Sequence, residues 1–457
     1  MQLINTTENA FNIMKKLKVI VLLMLCPLSI MAQSMTVHQN GQQTYFNINE
    51  VDSITFDNTP NLWQDASKEI GFYYAPGWVQ TADPTYTENK GTYTLTLKRA
   101  TSEQWQAQMY LISDLQTDAY HNYNFRIKLR SNKAVTATVK LNQDGNNKLY
   151  YFEEKLPLKA DEEYIFERND MPGLDMSRVV LVLDFGGNKV NTTINISGIT
   201  LTEEEYDSSQ DQNSCPLPDY ELVWYDEFSS RSINSVRWTF QEANAGWVNN
   251  ELQTYISGRS PQGKKVAESS NGTLKIHAFK EGDKVYSARM YGKRSTGFKY
   301  GYIEARIKLP KGKGTWPAWW MFPVDGSNWP ACGEIDIMEE VGVDPNLVSS
   351  SFHTLAYNHV NHTQKTHEMY CVGAEEGFHI YALEWTEDYM RTSVDGIEQL
   401  YFENDHLDNN DSWPFNKPFF LILNVAWGGD WGGYDGIDES ALPVTMEVDY
   451  VRVWQKK

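Results

Sequence analysis

The sequence predicts an all-β chain built as two sandwiches, and three observations carry that prediction. Apolar residues recur with period two through most of the chain, polar turns rich in Asn, Asp and Gly divide the runs, and sustained helical periodicity is absent. The first stretch, residues 1–33, is different. Met14-Lys15-Lys16-Leu17-Lys18, then apolar Val19 to Leu25, then Ile30-Met31-Ala32 before Gln33, form the basic, apolar and small-residue order of an export signal, with Met14 fitting as its start. The apolar run is too short for a membrane-spanning helix. Leu25 before Cys26 is too bulky for a lipid-attachment signal, so the expectation is a secreted, periplasmic or cell-surface bacterial protein without a lipid anchor. Residues 34–58 form a short segment in which Phe46 to Phe56 alternates enough for a strand pair.

The first sandwich is expected over residues 59–204. Its strands read from Tyr93, Leu95 and Leu97, from Tyr123, Phe125, Ile127 and Leu129, and from Val135, Ala137, Val139 and Leu141, with a turn at Asp144-Gly145-Asn146-Asn147. Residues 205–217 are polar and acidic, the composition of a linker. The second, larger sandwich takes residues 218–457. Its strands read from Leu274, Ile276 and Ala278 and from Ile303, Ala305, Ile307 and Leu309, with a hairpin at Asp395-Gly396.

Composition excludes several functions. The formal charge of -20 becomes -22 when residues 1–32 leave with three lysines and one glutamate. So acidic a surface disfavours nucleic acid and polyanions and suits a neutral polysaccharide. No phosphate loop or dinucleotide motif is present, so no nucleotide is expected. The 15 Trp and 26 Tyr offer flat faces that suit sugar rings as well as cores. Cys215, Cys332 and Cys371 are odd in number and lack metal-ligand spacing, so no disulfide framework follows. His353, His359, His362 and His367 match no zinc pattern and read as an exposed loop.

The chemistry concentrates in Glu334-Ile335-Asp336-Ile337-Met338-Glu339. Cleaving a glycosidic bond needs one carboxylic acid to protonate the leaving oxygen and a second carboxylate to attack the anomeric carbon or activate water. In a regular strand Glu334 and Asp336 share a face while Glu339 points away. One β-bulge, with Ile337 or Met338 as the extra residue, returns Glu339 to that face and makes a row of three carboxylates. Alone, the pattern also fits a strand with an acidic solvent face.

Six further blocks decide between these readings. They are Trp224-Tyr225-Asp226-Glu227-Phe228, Asn249-Asn250-Glu251-Leu252-Gln253, Tyr300 to Arg306, Gly314-Thr315-Trp316-Pro317-Ala318-Trp319-Trp320-Met321, Asn424 to Gly429 and Val448 to Trp454. With Trp329-Pro330-Ala331-Cys332-Gly333 before the carboxylates, the stretch from about Tyr220 to Trp454 resembles the laminarinase-like branch of glycoside hydrolase family 16. The resemblance implies a β-jelly roll with a cleft, and a retaining endo-β-glucanase acting on β-1,3-glucan or mixed-linkage β-1,3-1,4-glucan. It implies Glu334 as nucleophile, Glu339 as general acid/base and Asp336 between them. Trp329, Trp316 and Trp320 are then candidate sugar platforms, and Asn249, Asn250, Glu251 and Arg289 candidate hydroxyl partners. His353 matches a position that lines the family's cleft. No cofactor is required. A structural Ca²⁺ would fall at Glu227 and Asp449, and the expected state is a monomer. Gln104-Trp105-Gln106-Ala107-Gln108, expected on one strand, resembles the binding segment of a jelly-roll carbohydrate-binding module, with Trp78 and Trp105 as its aromatics. A glycan-binding protein without catalysis, a transglycosylase and a galactanase are alternatives on the same fold.

Overall fold

The structure is a computed structural model and describes residues 60–74, 79–80, 85–98, 100–188, 192–205, 215–326 and 328–457, with the backbone of strands Ser34–Gln39 and Gln42–Asn47. The expected export signal, Trp78 and residues 206–214 of the expected linker lie outside the described residues. The early strand pair is antiparallel and joins Ser34 to Asn47 and Gln39 to Gln42, upstream of most of the run from which the sequence suggested it. It belongs to a unit of its own, residues 1–59.

Residues 60–457 form the second compact unit, which contains both sandwiches. In the first, a six-stranded and a five-stranded sheet close over one core. Period-two alternation is what makes this possible: in Ala107–Ser113 the odd positions are buried and the even positions half-exposed. Gln104-Trp105-Gln106 is not on that strand, contrary to the sequence reading. These residues form a helical turn, because the Gln106 side chain accepts from the backbone N–H groups of Ser102 (3.0 Å) and Glu103 (3.1 Å) and pulls the chain round before the strand starts.

The second sandwich stacks a ten-stranded sheet on a seven-stranded one, with a core rich in Trp, Val and Ile between them. The seven-stranded sheet runs in the order Trp238–Gln241, Arg289–Gly292, Phe419–Trp427, Thr315–Pro323, Glu334–Glu340, Leu347–His353, Lys365–Tyr370. Its inner face feeds the core and its outer face carries the cleft described below.

The two sandwiches are packed together. Leu174 bridges to Gly377, the Asp175 N–H donates to the Glu376 carbonyl (2.8 Å), and the Tyr120 hydroxyl donates to Glu447 (2.7 Å). Lys308 reaches Asp175 (2.8 Å) and Glu447 (3.3 Å). Leu174, itself buried, occupies the space that side chains at Gly373 and Gly377 would fill: a Cβ at either position would lie 2.6 or 2.7 Å from its Cδ2.

Candidate active site

The central strand Glu334–Glu340 is bulged as its chemistry requires. Asp336 pairs with Trp320 and Ile335 with Met321, but Met338 pairs with Trp319 and Glu339 with Ala318, so Ile337 is the extra residue on that side. On the other side Asp336 faces Ser351 and Glu339 faces Ser349, two residues apart where three separate the carboxylates. Ile335, Ile337 and Met338 are all buried in the core. Three apolar side chains inward therefore leave three carboxylates outward, and the burial of Ile337 and Met338 holds the bulge in place.

Strand register then dictates the neighbours. Residues directly opposite in an antiparallel pair share a face, which aligns Arg289, Asn424, Ala318 and Glu339 in one row and Tyr291, Ile422, Trp320 and Asp336 in the next. Above these rows opens a cleft of about 510 Å³ whose lining includes Glu334, Asp336, Glu339, Trp316, Trp320 and Trp329. The Trp316 Nε1–H donates to Glu339 Oε1 (2.9 Å), and the Trp320 Nε1–H donates to Asn424 Oδ1 (2.7 Å). Trp319, between them, turns into the core. The Arg289 guanidinium lies over the Trp320 ring at 4.5 Å and beside Trp247 at 5.1 Å.

Electrostatics set the three carboxylates apart from ordinary ones. Burial and the neighbouring Asp336 push Glu334 up to about 8, against the pull of His353 and Arg289. Burial lifts Glu339 to about 7, with Trp316 opposing the rise through its hydrogen bond and Glu334 adding to it. Asp336 goes well above the carboxylate range through burial and the charge of Glu339. The row cannot ionise together at neutral pH. Asp336 is almost wholly buried, and that burial favours its protonated form. Glu334 is more open and sits between an imidazole and a guanidinium that favour its anion.

The other sequence candidates divide. Asn249 and Glu251 line the cleft. Glu251 anchors a buried network, accepting from Gln253 Nε2 (2.6 Å), from Asn249 Nδ2 (3.3 Å) and from the Tyr255 hydroxyl (3.4 Å), and burial raises its pKa. Asn250 is not among the lining residues; its side-chain amide donates to Asp430 Oδ1 (2.8 Å). His353 is not a lining residue either. It is buried beside the row, opposite Glu334 on the neighbouring strand, with Nε2 3.3 Å from Asp336 Oδ2 and its ring 6.0 Å from that of Trp329. The histidine in the cleft is His359, whose ring lies 4.9 Å from Trp329, so part of the loop read as merely exposed contributes to the wall. Trp247, Tyr291, Arg294, Phe322 and Phe420 also line it and were not singled out in the sequence. Tyr291 and Phe420 could have been found from strand alternation once the sheet order was known.

Glu227 and Asp449 do not suit a calcium ion. Both oxygens of Glu227 accept from Arg452 (2.9 Å each), and Asp449 Oδ2 accepts from Arg306 (2.9 Å). Carboxylates neutralised by guanidinium groups are poor members of the six- to eight-oxygen set Ca²⁺ takes. Trp105 is 41% exposed, on the turn before its strand.

Comparison with known proteins agrees with this geometry. The family model for glycosyl hydrolases family 16 matches residues 253–452. A β-glucanase from Rhodothermus marinus is 40% identical over 250 residues, 52% of this chain and 86% of that protein. The glucan endo-1,3-β-glucosidase A1 of Niallia circulans is 32% identical over 307 residues, 60% of this chain and 44% of that protein. Among solved structures, a mutant of SCLam, a non-specific endo-β-1,3(4)-glucanase with 1,3-β-D-cellobiosyl-glucose at its active site, is similar with a TM-score of 0.50. It is 45% identical and the match covers 52% of this chain and 96% of that one. With the bulged carboxylate row at the floor of its cleft, this chain belongs to glycosyl hydrolases family 16.

Proposed function

We propose that the chain is an exported, monomeric, endo-acting β-glucanase that hydrolyses β-1,3-glucan, mixed-linkage β-1,3-1,4-glucan or both with retention of configuration. The observation that carries this is the row Glu334, Asp336, Glu339, brought to one face by the bulge and walled by tryptophans. The substrates named for the relatives support the choice of glucan. In the first step a Glu334 oxygen bonds to the anomeric carbon as the glycosidic bond breaks, and Glu339 gives its proton to the leaving oxygen. Glu334 reacts from its ionised form, which His353 and Arg289 favour and Asp336 opposes. In the second step Glu339 takes a proton from water, the water oxygen bonds to the same carbon, and Glu334 is released.

Two measurements test the reading. Product analysis on laminarin and barley β-glucan side by side decides linkage, and proton NMR of the first product formed decides stereochemistry. A β-anomer appearing before mutarotation is expected. A first-formed α-anomer overturns the roles given to Glu334 and Glu339, and failure to cut either polymer overturns the substrate class.

A further inference from the structure

A second cluster of ionisable groups lies outside the cleft, at one end of the larger sandwich. Cys371 follows directly on the strand Lys365–Tyr370, the edge of the seven-stranded sheet. His379 opens the strand His379–Trp385 of the ten-stranded sheet, and Asp395 stands in the hairpin turn between the strands Tyr389–Val394 and Ile397–Glu403 of that same sheet. No sequence motif joins these residues. The fold nevertheless brings a thiol sulfur, an imidazole nitrogen and a carboxylate oxygen to within 4.8 Å of one another. None of the three lines the cleft.

The groups are held in place but not satisfied. Asp395 is fixed through both oxygens: Oδ1 accepts from the Ile380 backbone N–H (2.8 Å) and Oδ2 lies 2.7 Å from His379 Nδ1. The other ring nitrogen, His379 Nε2, is fully shielded and has no hydrogen-bond partner, although buried polar groups normally have one. Two residues on, on the same face of the strand, the buried Tyr381 hydroxyl lacks a partner as well. Cys371 is buried and is a free thiol. Burial opposes a charge on His379, yet Asp395 and Cys371 overcome it and lift its pKa to about 10. Shielded lone pairs around a place that favours positive charge are what a bound cation satisfies. The Asp395 side chain is 47% exposed, which leaves the cation a way in from solvent.

We propose that Cys371, His379 and Asp395 bind a zinc ion that ties the two sheets of the larger sandwich together at this end. A thiolate, an imidazole and a carboxylate are the ligand types zinc takes, whereas calcium and magnesium take oxygen. Water or the Tyr381 hydroxyl completes the four-coordinate shell. Zinc takes the place of the Cys371 thiol proton and of the second imidazole proton, and both protons leave to water. The ion also pins the two ends of the loop 371–379, in which Gly373 and Gly377 make room for Leu174 of the first sandwich. Its role is structural, since the cluster stands apart from the carboxylate row.

The test uses the full chain, stripped with a chelator and titrated with Zn²⁺ alone, then with Co²⁺ as a spectroscopic stand-in. One zinc per chain, a melting temperature that rises with zinc concentration and a near-ultraviolet thiolate-to-cobalt absorption band are expected. Cys371→Ser should remove the band and weaken zinc binding about a hundredfold or more. Asp395→Asn, which keeps the shape of the turn, should weaken zinc binding about tenfold or more and guards against a Cys371 variant that fails to fold. Cys215→Ser should change neither reading. A melting temperature indifferent to zinc, a band that survives Cys371→Ser, or zinc binding that survives both variants overturns the inference. Hydrolysis of glucan by the wild type is a separate reading, so the proposed function stands or falls independently.

Discussion

Replacing Trp316 by Phe tests the electrostatic account of the cleft most directly. The indole N–H donates 2.9 Å to Glu339 Oε1 and is the first influence opposing the upward drive of burial on that carboxyl. Phe keeps a ring against Trp431, which meets Trp316 edge to face at 5.4 Å, but cannot donate. Hydrogen bonds to charged groups contribute about 1.5–3 kcal/mol, and 1.36 kcal/mol corresponds to one pKa unit. Losing this donor destabilises the Glu339 anion and so raises its pKa, from about 7 to about 8 or higher. If Glu339 is the acid, the form that donates the proton then persists to higher pH. The alkaline limb of the kcat/KM profile on a soluble glucan should move upward by about one pH unit. Some loss of kcat/KM at the optimum is expected as well, because the ring lines the cleft. A limb that stays in place or moves to lower pH would refute the reasoning, since neither outcome is compatible with Trp316 stabilising the ionised acid.

Other expectations follow from the same geometry. Glu334→Gln should reduce kcat on laminarin to below about one per cent of wild type, and activity much above that would remove Glu334 as nucleophile. The same variant should gain stability relative to wild type as pH rises. Glu334 has a folded pKa of about 8 against an ordinary 4.5, so the stability its protonated form contributes is full below the lower value and lost as pH rises through the higher one. Melting temperatures of the two proteins should therefore agree near the acid end and diverge in favour of Glu334→Gln towards alkaline pH, where the stability difference reaches about a few kcal/mol; equal melting curves at all pH values would contradict the raised pKa. Asn250→Ala should change kcat/KM on soluble glucan by less than about threefold, because its side chain is spent on Asp430, and a large loss would place it in the cleft after all. Gly377→Ala would put a Cβ 2.5 Å from the Gly173 carbonyl oxygen and 2.7 Å from Leu174. It should cost about 1–3 kcal/mol and lower the calorimetric melting temperature, whereas an unchanged transition would mean that the two sandwiches do not pack through Leu174.

Much of this protein was determined by its sequence alone. Period-two alternation requires sheets with one buried face, so the two sandwiches and most of their cores follow from where Val, Ile, Leu and the aromatics fall. The carboxylate row was also legible, because two apolar residues between Asp336 and Glu339 leave a bulge as the way to bury both and keep all three acids on one face. Tertiary structure decided what local pattern does not encode. Tyr291 and Phe420 join the site only because sheet order sets their strands beside it. The loop histidine His359 was not legible either: it comes back over Trp329 from the loop that follows His353, which lies directly opposite Glu334 and is buried there. The close packing of the sandwiches through Leu174 and two glycines has no local signature at all, since a glycine that makes room for a distant side chain reads in sequence like a glycine that makes a turn.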